Sequence, residues 1–324
     1  MAFRFFILII SLTLSACSAV PSPANIPKKT TLNTYYDFQL YDPSNQQEID
    51  NIKQLAQQLA DSQVVLFGEF HTHPAIHLAQ LRLFAALYQQ NHQLSLSMEQ
   101  FDRSQQAVLN QYLDEQIGEE WLVKQTKAWD NYRSDYRPLV EFAKQQQLEI
   151  IAANAPRKHV RCLGRQGLDY LQQLPSNQRQ QLAETFTIED PAYRQRLFGN
   201  AHHGDEQQTQ NHFIAMLAWD DTMAESIAKH ALNSGQQIMH TVGNFHIEQR
   251  QGTYSRVKQR LHGQKVSSVV ALSEREFTSL SAAEKQQKGD YLIIVRALPL
   301  RYKNEQHRRA EFAQINQQAQ ISCQ

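Results

Sequence analysis

Four side chains in this sequence are of the types that move protons or hold metals, and each follows a short apolar run. Glu69 and His71 come just after Val64-Val65-Leu66-Phe67-Gly68, and Glu99 ends Leu94-Ser95-Leu96-Ser97-Met98. His246 closes Gly243-Asn244-Phe245-His246 after the run from Ile238 to Val242. Two imidazoles with one or two carboxylates suffice for a site with open positions that holds Zn, Mn or Co and activates water for hydrolysis. Without a metal, a histidine of this set can serve as a general base. Asn154 and Arg157 follow a fourth run, Leu148 to Ala153, and add an amide and a cation. Any one of these residues is also an ordinary cap or turn residue. Their recurrence after four separate runs is what points to a shared site. The chain has no His-Glu-x-x-His, no Gly-x-Ser-x-Gly and no phosphate-binding loop.

These groups meet only if the runs are parallel strands, whose carboxyl ends line one edge. In open α/β sheets that edge is where ligands bind. Val64 to Phe67 reads as a buried strand stopped by Gly68. Pro74, with Thr72 or His73 before it, opens a segment with Ile76, Leu78, Leu81, Leu83, Phe84 and Leu87 at near-helical spacing. Two more strands are predicted at Val266 to Leu272 and Tyr291 to Val295. Helical patterns occupy the intervals: Ile49, Ile52, Leu55 and Leu59; residues 137–147; and residues 206–232, closed by Asn233-Ser234-Gly235. The alternation predicts an α/β fold with a mainly parallel sheet covered by helices on both faces. Connections near 103–136 and 173–215 are too long for one crossover helix. They are read as helical excursions forming a cap over the carboxyl-end edge. His73, beside Pro74, reads as a helix-capping surface residue and His202-His203-Gly204 as a loop.

The chain starts Met1-Ala2-Phe3-Arg4, followed by an apolar run from Phe5 to Leu14 too short for a permanent membrane span. Leu14-Ser15-Ala16-Cys17 resembles a bacterial lipobox, which implies cleavage before Cys17 and acylation of that residue. Ser18 fits outer-membrane sorting in a Gram-negative bacterium. The expected organisation is a signal peptide at 1–16, a tether at 17–45 containing Pro21, Pro23 and Pro27, and an α/β domain at 46–324. Lys and Arg total 32 against 32 Asp and Glu, so electrostatics makes no case for nucleic acid. Export permits a disulfide between Cys162 and Cys323, and two free thiols are the alternative.

The ordered set Gly68-Glu69-Phe70-His71 with His77, Met98-Glu99-Gln100-Phe101-Asp102-Arg103, Tyr136-Arg137-Pro138-Leu139, Asn154-Ala155-Pro156-Arg157, Asp221-Thr222-Met223-Ala224 and Gly243-Asn244-Phe245-His246 resembles the ChaN-like haem-binding lipoproteins. These belong to the Tiki and erythromycin-esterase-like superfamily, marked by paired Gly-x-x-His motifs. The resemblance implies haem capture for iron uptake, a homodimer with the pocket at its interface and an outer-membrane haem receptor as partner. Haem needs an axial donor, apolar walls and cations for its propionates. Tyr136, next to Arg137, is the leading axial candidate and Tyr132 the next, since a neighbouring cation favours tyrosinate. His71 and His246 are the other iron donors, with Glu69, Glu99 and Asn154 around them. Arg137 and Arg157 are the expected propionate partners. The rival expectation is a metal-dependent hydrolase using Glu69, His71, Glu99 and His246. Thr72 and Ile76 depart from the family pattern, as do Asn244 and Phe245, which stand where small residues are usual. Phe245 either stacks on a porphyrin or blocks it.

Overall fold

The computed structural model describes residues 31–199, 205–318 and 323; the signal peptide expected at 1–16, Cys17 and the His202-His203-Gly204 segment lie outside them. One eight-stranded sheet has the order β2-β1-β8-β7-β3-β6-β4-β5. Its strands are β1 (Phe38–Asp42), β2 (Gln47–Ile49), β3 (Val64–Glu69), β4 (Leu94–Asp102), β5 (Ile150–Asn154), β6 (Gln237–Gly243), β7 (Val266–Ser273) and β8 (Tyr291–Val295). From β8 to β5 every pairing is parallel, whereas β1 is antiparallel to both β2 and β8. The tether expected at 17–45 is corrected here. Its residues 38–42 are a sheet strand, whose Leu40 and Asp42 are buried.

β3 lies inside the sheet and is buried at all six positions, as a continuous apolar run requires. Its register against β6 runs from Val64↔Ile238 to Glu69↔Gly243. Glu69 and His71 therefore leave the sheet beside Gly243 and His246, although 175 residues separate His71 from His246 in sequence. β4 pairs with β6 up to Met98↔Thr241, and its register with β5 shifts between Met98 and Asp102. That irregularity sits where Glu99 departs, a common place for a bulge to re-aim a side chain.

Each face carries its own core. Leu83, Phe84 and Leu87 of the Pro74–Gln90 helix and Leu139 and Val140 of the Arg137–Gln145 helix cover one face, with Phe67, Leu96 and Met239 beneath. The other face is covered by the Glu206–Ser234 and Thr253–Arg260 helices, through Met223, Ile227 and Val257 on Leu66, Ile238 and Val242. Asp205 opens the long helix with a capping box to Gln208, and Gly235, at φ 68°, closes it. Among the described residues no helix is long and apolar enough to cross a membrane.

β5 ends the sheet, and a side chain covers its free edge. The Gln106 Nε2 donates to the Ile150 carbonyl (2.8 Å) while its Oε1 accepts from the Ala152 N–H (2.7 Å). One amide thus occupies the place of a neighbouring peptide. A groove of about 1220 Å³ runs along this edge, beside Lys144 and Lys229, and takes in neither histidine of the paired motifs. Cys162 and Cys323 are joined as a disulfide, fastening the C-terminal segment to the Arg157–Gln166 helix.

Candidate functional site

Glu69 is the buried hub. Its Oε1 accepts from the His71 Nδ1–H (2.7 Å), the Tyr136 hydroxyl (2.6 Å) and Gln100 Nε2 (3.2 Å), and its Oε2 accepts from Gln80 Nε2 (2.8 Å). Burial opposes ionisation, yet His71, His77 and Tyr136 together hold this carboxyl at about 2. An ionised carboxylate only accepts, so the bond fixes His71 with its proton on Nδ1 and leaves Nε2 for a ligand. His71 keeps 44% of its side-chain surface exposed and meets the Trp129 ring edge-on at 5.0 Å. Partial burial works against charge on this ring, but Glu69 and Glu99 raise its pKa above the ordinary histidine value.

The second imidazole is held in the same way from the other face. His246 Nδ1 donates to Asp220 (2.8 Å), which also accepts from the Thr253 hydroxyl (2.8 Å) and the Tyr193 hydroxyl (2.5 Å). Burial opposes charge on both partners. Their mutual attraction nonetheless lowers the Asp220 pKa and raises that of His246. Glu99 stands between the two imidazoles. One oxygen accepts from the Gly243 N–H (2.6 Å), and the other lies 3.8 Å from His246 Nε2. A Cβ on Gly243 would sit 3.1 Å from His71 Nε2 and 3.5 Å from Glu99, so the missing side chain keeps this meeting point open. At Gly68 a Cβ would come within 2.5 Å of the Asn244 side chain. That side chain pairs with both backbone groups of Ala271 and pins the His246 turn to β7. Thr72, between His71 and His73, has φ 73°, rare for a β-branched residue.

A cleft of about 790 Å³ opens beside these groups, lined by Thr72, Glu99, Gln100, Trp129, Asn154 and Arg157 among others. Its volume suits a small-molecule ligand. The family model for haem-binding uptake, Tiki superfamily, ChaN, matches residues 55–257, more than half of the sequence. The chain belongs to this family. No curated protein matches it. The solved structure of ChaN of Campylobacter jejuni with cofacially bound heme is similar at a TM-score of 0.62 and 15% identity, over 81% of this chain and 98% of that one. A succinoglycan biosynthesis protein (TM-score 0.43, 13% identity, 79% and 92% coverage) and an erythromycin esterase in its open conformation (0.42, 10%, 73% and 77%) are more distant.

Within this ChaN-family fold, Glu69, His71, Glu99 and His246 come together as the sequence predicts. Several other expectations are corrected. Tyr136 is fully buried and donates to Glu69, and burial with that carboxylate raises its pKa, so it is no tyrosinate facing the cleft. Tyr132 is buried against Phe101, with its pKa raised by burial. Arg137 is spent on a two-pronged pair with Glu119 (2.5 and 2.8 Å), away from the cleft lining. Asn154 lines the cleft, but its amide donates to the Glu99 carbonyl (2.9 Å) and accepts from the Ala155 N–H, so it braces the β4–β5 ends. His73 does occupy the helix N-cap position. Its ring makes no cap hydrogen bond, however, and is buried with Nε2 on the Arg296 carbonyl (2.9 Å). Both Glu69 oxygens are committed beneath His71, and no three acid, histidine or cysteine donors among the described residues are placed to share one ion.

Sequence reasoning missed Asp220, Trp129, Tyr193 and Arg196. Asp220 carried a readable signal: two acids, Asp220-Asp221, interrupt the apolar face between Leu217 and Met223, and both are buried. An acid in such a place needs a cationic or donor partner. Both long excursions reach the site. The first brings Trp129 to the cleft, and the second brings Tyr193 to Asp220.

Proposed function

We propose that this protein binds haem at the cleft beside His71 and that His71 Nε2 is the axial donor. The observation that carries this is the Glu69–His71 pair opening onto Gly243: a carboxylate fixes the tautomer, and a glycine leaves the ligating nitrogen uncovered. Trp129 supplies an apolar wall and Arg157, exposed above it, a cation for a propionate. Family membership and the cofacial heme of the C. jejuni relative support haem as the cargo. The lipobox residues Leu14 to Cys17 support an acylated anchor in the outer membrane, which suits iron acquisition and handover to an outer-membrane haem receptor. A homodimer with the pocket at its interface belongs to the same reading.

Haemin titrated into the purified full-length protein should give a saturable Soret shift. His71→Ala should weaken binding at least about tenfold and change the spectrum, and Gly243→Ala should weaken it less. Tyr136→Phe should leave the ligand spectrum intact. A spectrum lost in Tyr136→Phe but kept in His71→Ala would falsify the assignment. Iron requires the neutral imidazole, so the axial signal should grow as pH rises through the raised pKa of His71.

The Asp220–His246 pair favours a second reading, metal-free hydrolysis with His246 as general base. Ester turnover that persists in EDTA and vanishes in His246→Ala would support it. Its absence from the wild-type protein would dismiss it.

A further inference from the structure

The two imidazoles share more than a carboxylate. Beside His71 stands Trp129, with the Arg157 guanidinium 5.6 Å from its ring centre. Beside His246 stands Phe245, with the Arg196 guanidinium 5.0 Å from its ring centre. Each station has the same composition: a carboxylate-held imidazole, an aromatic ring and an arginine over that ring. Glu99 and Gly243 lie between the two stations. Phe245 is one of the few large apolar residues left exposed, at 42%.

These are the arginines that stand over the rings beside the two imidazoles, and among the described residues neither is held by a carboxylate. Arg103, Arg133, Arg137, Arg194, Arg250, Arg256 and Arg260 all pair with carboxylates of the chain. Arg157 and Arg196 pair with none among the described residues. Among the described residues Arg196 donates one bond, to the Phe245 carbonyl (2.7 Å), and its buried Nε has no partner. Guanidinium forks match carboxylates in two-pronged geometry, and aromatic faces stack on flat conjugated rings.

We infer that the Trp129–Arg157 and Phe245–Arg196 stations recognise a planar conjugated dicarboxylate, gripping the ring with the aromatics and one carboxylate with each guanidinium. The inference rests on the haem reading and goes beyond it. Selection is by the two free carboxylates, so a tetrapyrrole lacking iron belongs to the ligand class. Arg196 also takes the propionate role expected of Arg137.

The test uses the full-length wild-type protein with four probes: haemin, metal-free protoporphyrin IX, and the dimethyl ester of each. Trp fluorescence quenching reports binding of all four, and the Soret band reports iron ligation. The free acids should both bind, with Kd values within about tenfold of each other, and the esters should bind at least about tenfold more weakly. Arg157→Gln and Arg196→Gln should each weaken the acids by about tenfold and leave the esters unchanged. Esters that bind wild type as tightly as the acids would overturn the inference while leaving haem binding standing, as would arginine variants that weaken acids and esters alike. Failure of all four probes to bind would overturn the haem reading and this inference together.

Discussion

At the scale of single residues, Glu69 decides the most. Four donors converge on a carboxylate without solvent contact, so its ionised form is a folded-state property. With its pKa lowered from 4.5 to about 2, its stabilising contribution is full above the unfolded value. That contribution is lost as pH falls from 4.5 through 2, and is worth about 3 kcal/mol. His71 and His246 act with the opposite sign. Their raised values add stability below 6.5 that disappears as pH climbs through the folded pKa values. Chemical denaturation followed across pH should show an acid limb, and Glu69→Gln should flatten it; an unaltered limb in that variant would assign it elsewhere. Thr72 offers a test without any charge. At φ 73° its branched side chain is strained by about 1–2 kcal/mol, and asparagine tolerates that conformation better. Thr72→Asn should therefore raise stability by about 1 kcal/mol in urea melts. A loss of stability would mean that the hydroxyl or methyl makes a compensating contact.

Secondary-structure elements were the most legible level of the sequence. Val64 to Phe67 and Tyr291 to Val295 announce themselves as strands because continuous apolar, β-branched runs are what burial on both sheet faces demands. The structure has β3 at Val64–Glu69 and β8 at Tyr291–Val295. Asn233-Ser234-Gly235 marks the end of the long helix through the left-handed conformation that glycine takes readily. β1 and β2 escaped notice: they are five and three residues long, with exposed Gln47 and Glu48, and β1 pairs with the distant β8 while β2 pairs only with β1. For the site, the motif ends could be read because each caps its strand. The orientation of Tyr136 could not. It depends on Gln80, Gln100 and Glu69 gathering from three elements, and no local spacing encodes that. The same limit applies to Arg137, whose partner Glu119 lies in another helix of the excursion.

For the whole molecule, the sheet edge matters as much as the site. Gln106 answers one peptide unit of β5 with its own amide, so the last strand presents no bare ladder there. Gln106→Ala should lower stability by about 1–3 kcal/mol and leave haemin titrations unchanged. The acylated anchor proposed above would confine copies to a plane, where they collide far more often than in bulk. Under such confinement an uncovered margin invites strand-to-strand joining between copies, and the glutamine would then work as a guard against clumping. Light scattering of the alanine variant during warming should report particles well before wild type does, and identical traces for the two proteins would relieve Gln106 of that duty.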